Sequence, residues 1–290
     1  MYGDLPTERV DPAGPELDRL APGEIARLLL REESRARDAV EKALPEIGRA
    51  CAAAAGALRA GGRLVYAGAG TSGRLGVLDA AEMGPTFGAP PGQVVGLIAG
   101  GDRALRESVE GAEDDADAGR RALQDLAPTE RDCVVGISMS GTAAWVRGAL
   151  EGVRGPSVLL TANPRSDLPA RIRIVLDLGA EVLAGSTRLK GGSATKAVLN
   201  MISTAAMAAS GAVHGNLMVR VRPTNRKLRD RAERLIGRLA PVEPGRAAEL
   251  LRAAGDDVAV AVLMARLGVD AAAARTRLDA AGGALREALA

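Results

Sequence analysis

RLVYAGAGTSGRLGVLDAAE, residues 63–82, decides how the rest of the chain is read. It opens on a continuous apolar run (63–68), turns through Gly68-Ala-Gly70-Thr71-Ser72-Gly73, and continues with apolar residues at helical spacing. Strand, glycine-and-hydroxyl turn, helix is how a βαβ unit begins. Four more apolar runs follow: QVVGLIAG (93–100), CVVGIS (133–138), SVLLTA (157–162) and IRIVLDL (172–178). None alternates with polar residues, so each reads as a strand buried on both faces of a parallel sheet. Helical segments at about 73–82, 103–125, 141–152 and 190–211 lie between or after them. The alternation predicts an α/β fold, a doubly wound, mostly parallel sheet over 45–222, with ligands bound outside the carboxyl ends of the strands.

Outward from that core, residues 1–44 read as an arm rich in Pro, Gly and charge leading into a helix. Helices are expected over 23–43 and 45–60, parted at Pro45. Beyond Pro223 the strand pattern stops, and residues 223–290 read as a small helical domain with segments near 224–240, 245–254, 256–267 and 271–288.

Composition narrows the function. The 38 basic and 36 acidic residues nearly cancel and form no basic stripe, and one Trp, one Phe and two Tyr supply no stacking platform, which argues against nucleic acid as a partner. No stretch of the length a bilayer needs is uninterruptedly apolar, the first residues lack the pattern of a signal peptide, and two cysteines make no disulfide framework. A cytoplasmic protein is the expectation. His214 is the sole histidine, so a histidine-based metal centre is not expected and no metal is assigned. His214 itself receives no role.

The chemistry gathers in three loops. Gly68-Ala-Gly70-Thr71-Ser72-Gly73 formally matches the dinucleotide fingerprint, but the acidic residue expected about 20 positions on comes late, at Asp102. Gly70, Thr71, Ser72 and Gly73 at a helix N-terminus suit a phosphate monoester, whose oxygens free N–H groups and hydroxyls can surround. A glycine turn with a hydroxyl cap is an equally good reading of that loop alone. Ser138, Ser140, Gly141 and Thr142 repeat the pattern after another strand, and two such loops in one sheet point to a phosphosugar cradle. Ser186, Arg188 and Lys190 place two cations beside a hydroxyl and could add an anion contact. Glu82 closes the helix that begins in the first loop, where the dipole gives a carboxylate no stabilising task. Glu113 lies within a run of acidic residues (107–117) that spacing alone reads as a solvated helix face.

Taken together, GRLVYAGAGTSGRLGVLDAAEMGPTFG, VVGLIAGG, EGAEDD, AGSTRLKGGSATKAVLNMIST and HGNLMVRVRPTNRKLRDRA resemble the N-acetylmuramic acid 6-phosphate etherases, and the resemblance runs over nearly the whole chain, arm included. It implies a sugar isomerase (SIS) type domain of three αβα layers, a homodimer, no cofactor and no metal. The reaction implied is cleavage of the lactyl ether to N-acetylglucosamine 6-phosphate and D-lactate. The family's acid/base glutamate maps onto Glu82 in Leu78-Asp79-Ala80-Ala81-Glu82, and its second glutamate onto Glu113 in Glu110-Gly111-Ala112-Glu113-Asp114. The family usually has Ser and Cys-Pro where this chain has Ala81 and Met83-Gly84. Its second hydroxyl loop usually reads Ser-Gly-Arg-Thr-Pro-Tyr, against Ser140-Gly141-Thr142-Ala143-Ala144-Trp145 here. Rival readings are a non-catalytic sugar-phosphate sensor that regulates a kinase, an aldose–ketose isomerase, and a nicotinamide dehydrogenase.

Overall fold

The computed structural model describes residue 3 and residues 5–290; residues 1, 2 and 4 of the expected arm lie outside the described residues. The chain divides into two compact units, residues 1–80 with 94–203, and residues 81–93 with 204–290.

The first unit is built on a sheet of β1 (Leu64–Gly68), β2 (Val94–Ile98), β3 (Cys133–Ile137), β4 (Ser157–Thr161) and β5 (Ile172–Val175). All four pairings are parallel, in the order β2-β1-β3-β4-β5. The expected doubly wound sheet is present. The direction in which strands are added reverses between β1 and β3, and a crevice opens outside the carboxyl ends of strands at such a switch point. Every residue of β1, β3 and β4 is buried, as their unbroken apolar runs require.

Helices cover both faces. Val65, Ala67, Val134 and Leu159 are sealed by α4 (Ala116–Gln124) and α5 (Ala144–Glu151) through Leu123, Trp145, Val146 and Leu150. The opposite face, carrying Tyr66 and Ile137, takes α3 (Gly70–Phe87), pressed so close that a Cβ on Gly76 would lie 2.8 Å from Tyr66 Cβ. Tyr66 is buried whole, and its hydroxyl donates to Asp79 Oδ2 at 3.0 Å; Lys196 Nζ holds the other oxygen, also at 3.0 Å. Ahead of the sheet run α1 (Pro22–Lys42) and α2 (Leu44–Arg59), and after it α6 (Lys190–Ala209). The strand starts are tied by Arg63 and Asp132: the carboxylate accepts from Arg63 N–H at 2.8 Å, Nε at 3.1 Å and Nη2 at 2.7 Å, and from Thr129 N–H at 2.7 Å.

Three expectations are corrected. The single helix expected over 103–125 breaks into short 3-10 turns at Gly101–Leu105 and Ala112–Asp114 before α4. Gly111 adopts φ 71°, which ends helical propagation, and Asp115 caps a fresh start by accepting from Ala118 N–H. The helix expected over 73–82 begins at Gly70 and runs to Phe87, so Glu82 lies ahead of its last turn. Pro85 is tolerated there because only the Ala81 carbonyl near the helix end loses its partner. The final segment, 271–288, divides into α10 (Ala271–Ala280) and α11 (Leu285–Leu289) at Gly282 and Gly283, both of positive φ.

The second unit is helical: α7 (Arg226–Leu239), α8 (Pro244–Ala253), α9 (Val258–Leu267), α10 and α11. Val258–Leu263 of α9 are all buried, and Ile236, Leu251, Ala274, Leu278 and Leu285 belong to the same core. A helix apolar on every side belongs in the middle of such a group. Asn225, Asp257 and Asp270 cap α7, α9 and α10, each accepting the N–H three residues on.

Candidate active site

β1 delivers the chain into α3 at Gly70, whose φ of 53° makes the turn, and β3 delivers it into the loop before α5. Both loops therefore stand at the β1/β3 switch point. A cleft of about 250 Å3 lies between them, walled by Gly70, Thr71, Ser72, Ser138 and Ser140 together with Glu113. The first intrahelical bond of α3 in this turn runs from Gly73 N–H to Ala69 O, leaving the N–H groups ahead of it directed outward with the Thr71 and Ser72 hydroxyls. In the second loop Gly141 N–H donates to Ser138 Oγ at 3.1 Å, and the Ser140 and Thr142 hydroxyls meet at 3.0 Å. These hydroxyls do not cap α5, whose N-cap is Ala143 with no side-chain bond. Asn163 Nδ2 donates to Ser140 O at 2.9 Å and Ser166 Oγ to Gly141 O at 2.6 Å, so the loop is held in place from behind.

Glu113 is exposed on the wall, at the 3-10 turn after Gly111. Arg74, in the first turn of α3, braces the preceding loop: its Nε donates to Ala104 O and its Nη2 to Glu107 O, both at 2.9 Å. Glu82 is exposed and belongs to the second unit, whereas every wall of this cleft comes from the first.

Other expected residues are placed differently. Gly73, Gly141 and Thr142 stand beside the cleft loops without forming its walls, and the segment around Ser186 contributes Gly185 and Thr187 instead of Ser186, Arg188 or Lys190. Arg188 is exposed. Lys190 is only 1% exposed, and its ammonium is spent on Glu32 Oε2 at 2.8 Å and Ala180 O at 2.5 Å. The sequence reading missed Thr7 and Glu8, which wall the cleft from the arm; Gly185 N–H donates to Thr7 O at 3.1 Å and fixes the arm there. Their only sequence signal was the arm's share in the family resemblance.

A parallel sheet in this order with hydroxyl loops at its switch point defines a doubly wound α/β protein with its ligand cleft at the strand ends. A family model described as the glucokinase regulatory protein N-terminal SIS domain matches residues 46–154. Among curated relatives, N-acetylmuramic acid 6-phosphate etherase of Gloeobacter violaceus is 51% identical, covering 98% of this chain and 95% of its own. The enzymes of that name from Rubrobacter xylanophilus and Cutibacterium acnes are 49% and 46% identical, covering 99% and 98% of this chain and 96% and 95% of their own. A solved protein of E. coli CFT073 superposes with a TM-score of 0.45 at 17% identity, over 65% of this chain and 93% of that one. The chain belongs to the N-acetylmuramic acid 6-phosphate etherase family.

Proposed function

We infer that the protein is a lyase that cleaves the D-lactyl ether of N-acetylmuramic acid 6-phosphate, giving N-acetylglucosamine 6-phosphate and D-lactate. The observation that carries the reading is the meeting of Glu113 with the Thr71, Ser72, Ser138 and Ser140 hydroxyls in one cleft of a chain so close to named etherases. In this reading the hydroxyls and the α3 N-terminus hold the phosphate. With the sugar ring open, the C2 proton is α to an aldehyde and the C3 ether oxygen is β to it, so a carboxylate base suffices. The base takes the C2 proton, the electron pair forms the C2–C3 double bond, and the C3–O bond breaks as the departing lactate oxygen receives a proton. Water then adds at C3 and a proton returns to C2. Glu82 is assigned to protonate the leaving oxygen and Glu113 to serve as the second acid/base group. Arg74 positions the loop that carries Glu113.

In the same reading residues 45–222 carry the phosphosugar chemistry, and the helices from 223 onward form a smaller domain. The protein works as a cytoplasmic homodimer. Free Cys51 and Cys133 suit a reducing compartment, and among the described residues no helix is long and apolar enough to cross a membrane. Exposed Leu30, Leu44 and Leu78 on helices of the first unit offer apolar surface to a second copy.

The test is D-lactate release from N-acetylmuramic acid 6-phosphate by the wild type, Glu82→Ala and Glu113→Ala. Release by the wild type, with a loss of about a hundredfold or more in each variant, is expected. A folded wild type that binds the phosphosugar but frees no lactate sinks the etherase reading in favour of a sensor.

A further inference from the structure

Beyond the hydroxyl cleft lies a second cavity of about 380 Å3, at the carboxyl ends of β3, β4 and β5. Thr7, Met139 and Thr187 wall both cavities, so the two adjoin. Met139, Val175 and Leu178 give it apolar surface; its charged side chains, among the described residues, are Arg9, Asp177 and Glu181. Glu181 is 4% exposed and half satisfied: Oε1 accepts from Gly191 N–H at 2.8 Å, while Oε2 is buried with no hydrogen-bond partner. Capping α6 explains the first oxygen and leaves the second without a task, and a buried polar atom in that state calls for an explanation. Burial raises the Glu181 carboxyl; the Gly191 and Lys190 N–H groups and the Lys190 charge pull the other way, and the Glu33 charge adds to the rise. The geometry leaves Oε2 an acceptor without a donor.

The chemistry of the walls selects the ligand. Two acidic residues against one arginine disfavour a second anion such as the lactyl carboxylate. Arg9 disfavours a cation. A small amide fits: a methyl for the apolar walls, a carbonyl to accept and an N–H to donate. Resting on the etherase reading, we propose that this chamber is the subsite for the substrate's acetamido group, with the Glu181 and Asp177 carboxylates accepting its N–H and Arg9 donating to its carbonyl. The adjoining cleft holds the phosphate, and the sugar ring spans the shared wall at Thr7, Met139 and Thr187.

The test uses ligands without the ether, so it reads the chamber whether or not the protein releases lactate. Isothermal titration compares N-acetylglucosamine 6-phosphate with glucose 6-phosphate, which carries a hydroxyl in place of the acetamido group. The wild type is expected to prefer the first by about tenfold or more, the scale of one or two hydrogen bonds to a buried polar group. Glu181→Ala is expected to reduce that preference to about threefold or less with glucose 6-phosphate affinity unchanged, and Glu181→Gln, whose amide oxygen still accepts, to keep most of it. Equal weakening of both ligands in Glu181→Ala would leave the residue a helix cap and overturn the proposal, as would a wild type without preference. Should Glu181→Ala lose its cooperative melt, exposed Asp177→Ala decides: a preference cut several-fold supports the subsite, and an unchanged one overturns it.

Discussion

Asp132 is 2% exposed and accepts four hydrogen bonds, three of them from Arg63. Burial alone would raise its carboxyl, but the Arg63 side chain, the Thr129 and Arg63 N–H groups and the Arg63 charge outweigh that and hold it at about 2. The folded value lies below the unfolded one, so the stabilisation is complete above pH ~4 and drains away as the pH falls towards ~2, worth roughly 2 kcal/mol over that window. Denaturant unfolding of the wild type and Asp132→Asn across this window checks it: the variant is expected to have the shallower slope, and parallel slopes would refute the assignment. Lys190 shows what single residues conceal. A lysine beside Ser186 and Arg188 reads as an anion contact, yet its partner, Glu32, is 158 positions away on α1, and nothing local announces a pairing at that separation. Thr7 and Thr187 became cleft walls for the same reason, since only tertiary structure puts them beside the phosphate loops.

Two glycines set the distance between α4 and α5. A Cβ on Gly119 would lie 1.9 Å from Trp145 O, and one on Gly148 1.8 Å from Ala116 O, so each helix presents bare backbone to the other. Gly148→Ala is therefore expected to force the helices apart and destabilise by about 1–3 kcal/mol. Gly56→Ala, inside α2 with nothing within 4 Å of the new methyl, is expected to stabilise by about 0.5–1 kcal/mol. Chemical denaturation of both variants tests the contrast, and a neutral Gly148→Ala would show that the pair does not govern the spacing. At this scale most strands and helices were legible, because an apolar run and a 3.6-residue period survive without tertiary information. The stretch from 101 to 115 was not: its charged residues keep helical spacing, and the break depends on the backbone angle of Gly111. The acidic run there hid Glu113, which spacing could not separate from its neighbours and the family motif could.

For the molecule as a whole, the doubly wound sheet followed from five apolar runs, and the strand order then fixed where the two hydroxyl loops meet. The order itself had no sequence signature. The homodimer of the proposed function predicts a solution mass near twice 29.6 kDa by analytical ultracentrifugation, and a single species at the chain mass would remove it. The division into units also bears on how the protein is made. Its second unit needs residues 81–93 as well as 204–290. On the ribosome the short segment emerges roughly a hundred residues before the helices it belongs with, a wait of roughly 5–20 s at ordinary rates of synthesis. During that interval residues 81–93, whose Met83 and Phe87 are buried in the finished fold, wait without the helices of their unit, and the nascent chain is open to misassembly while the sheet is being translated.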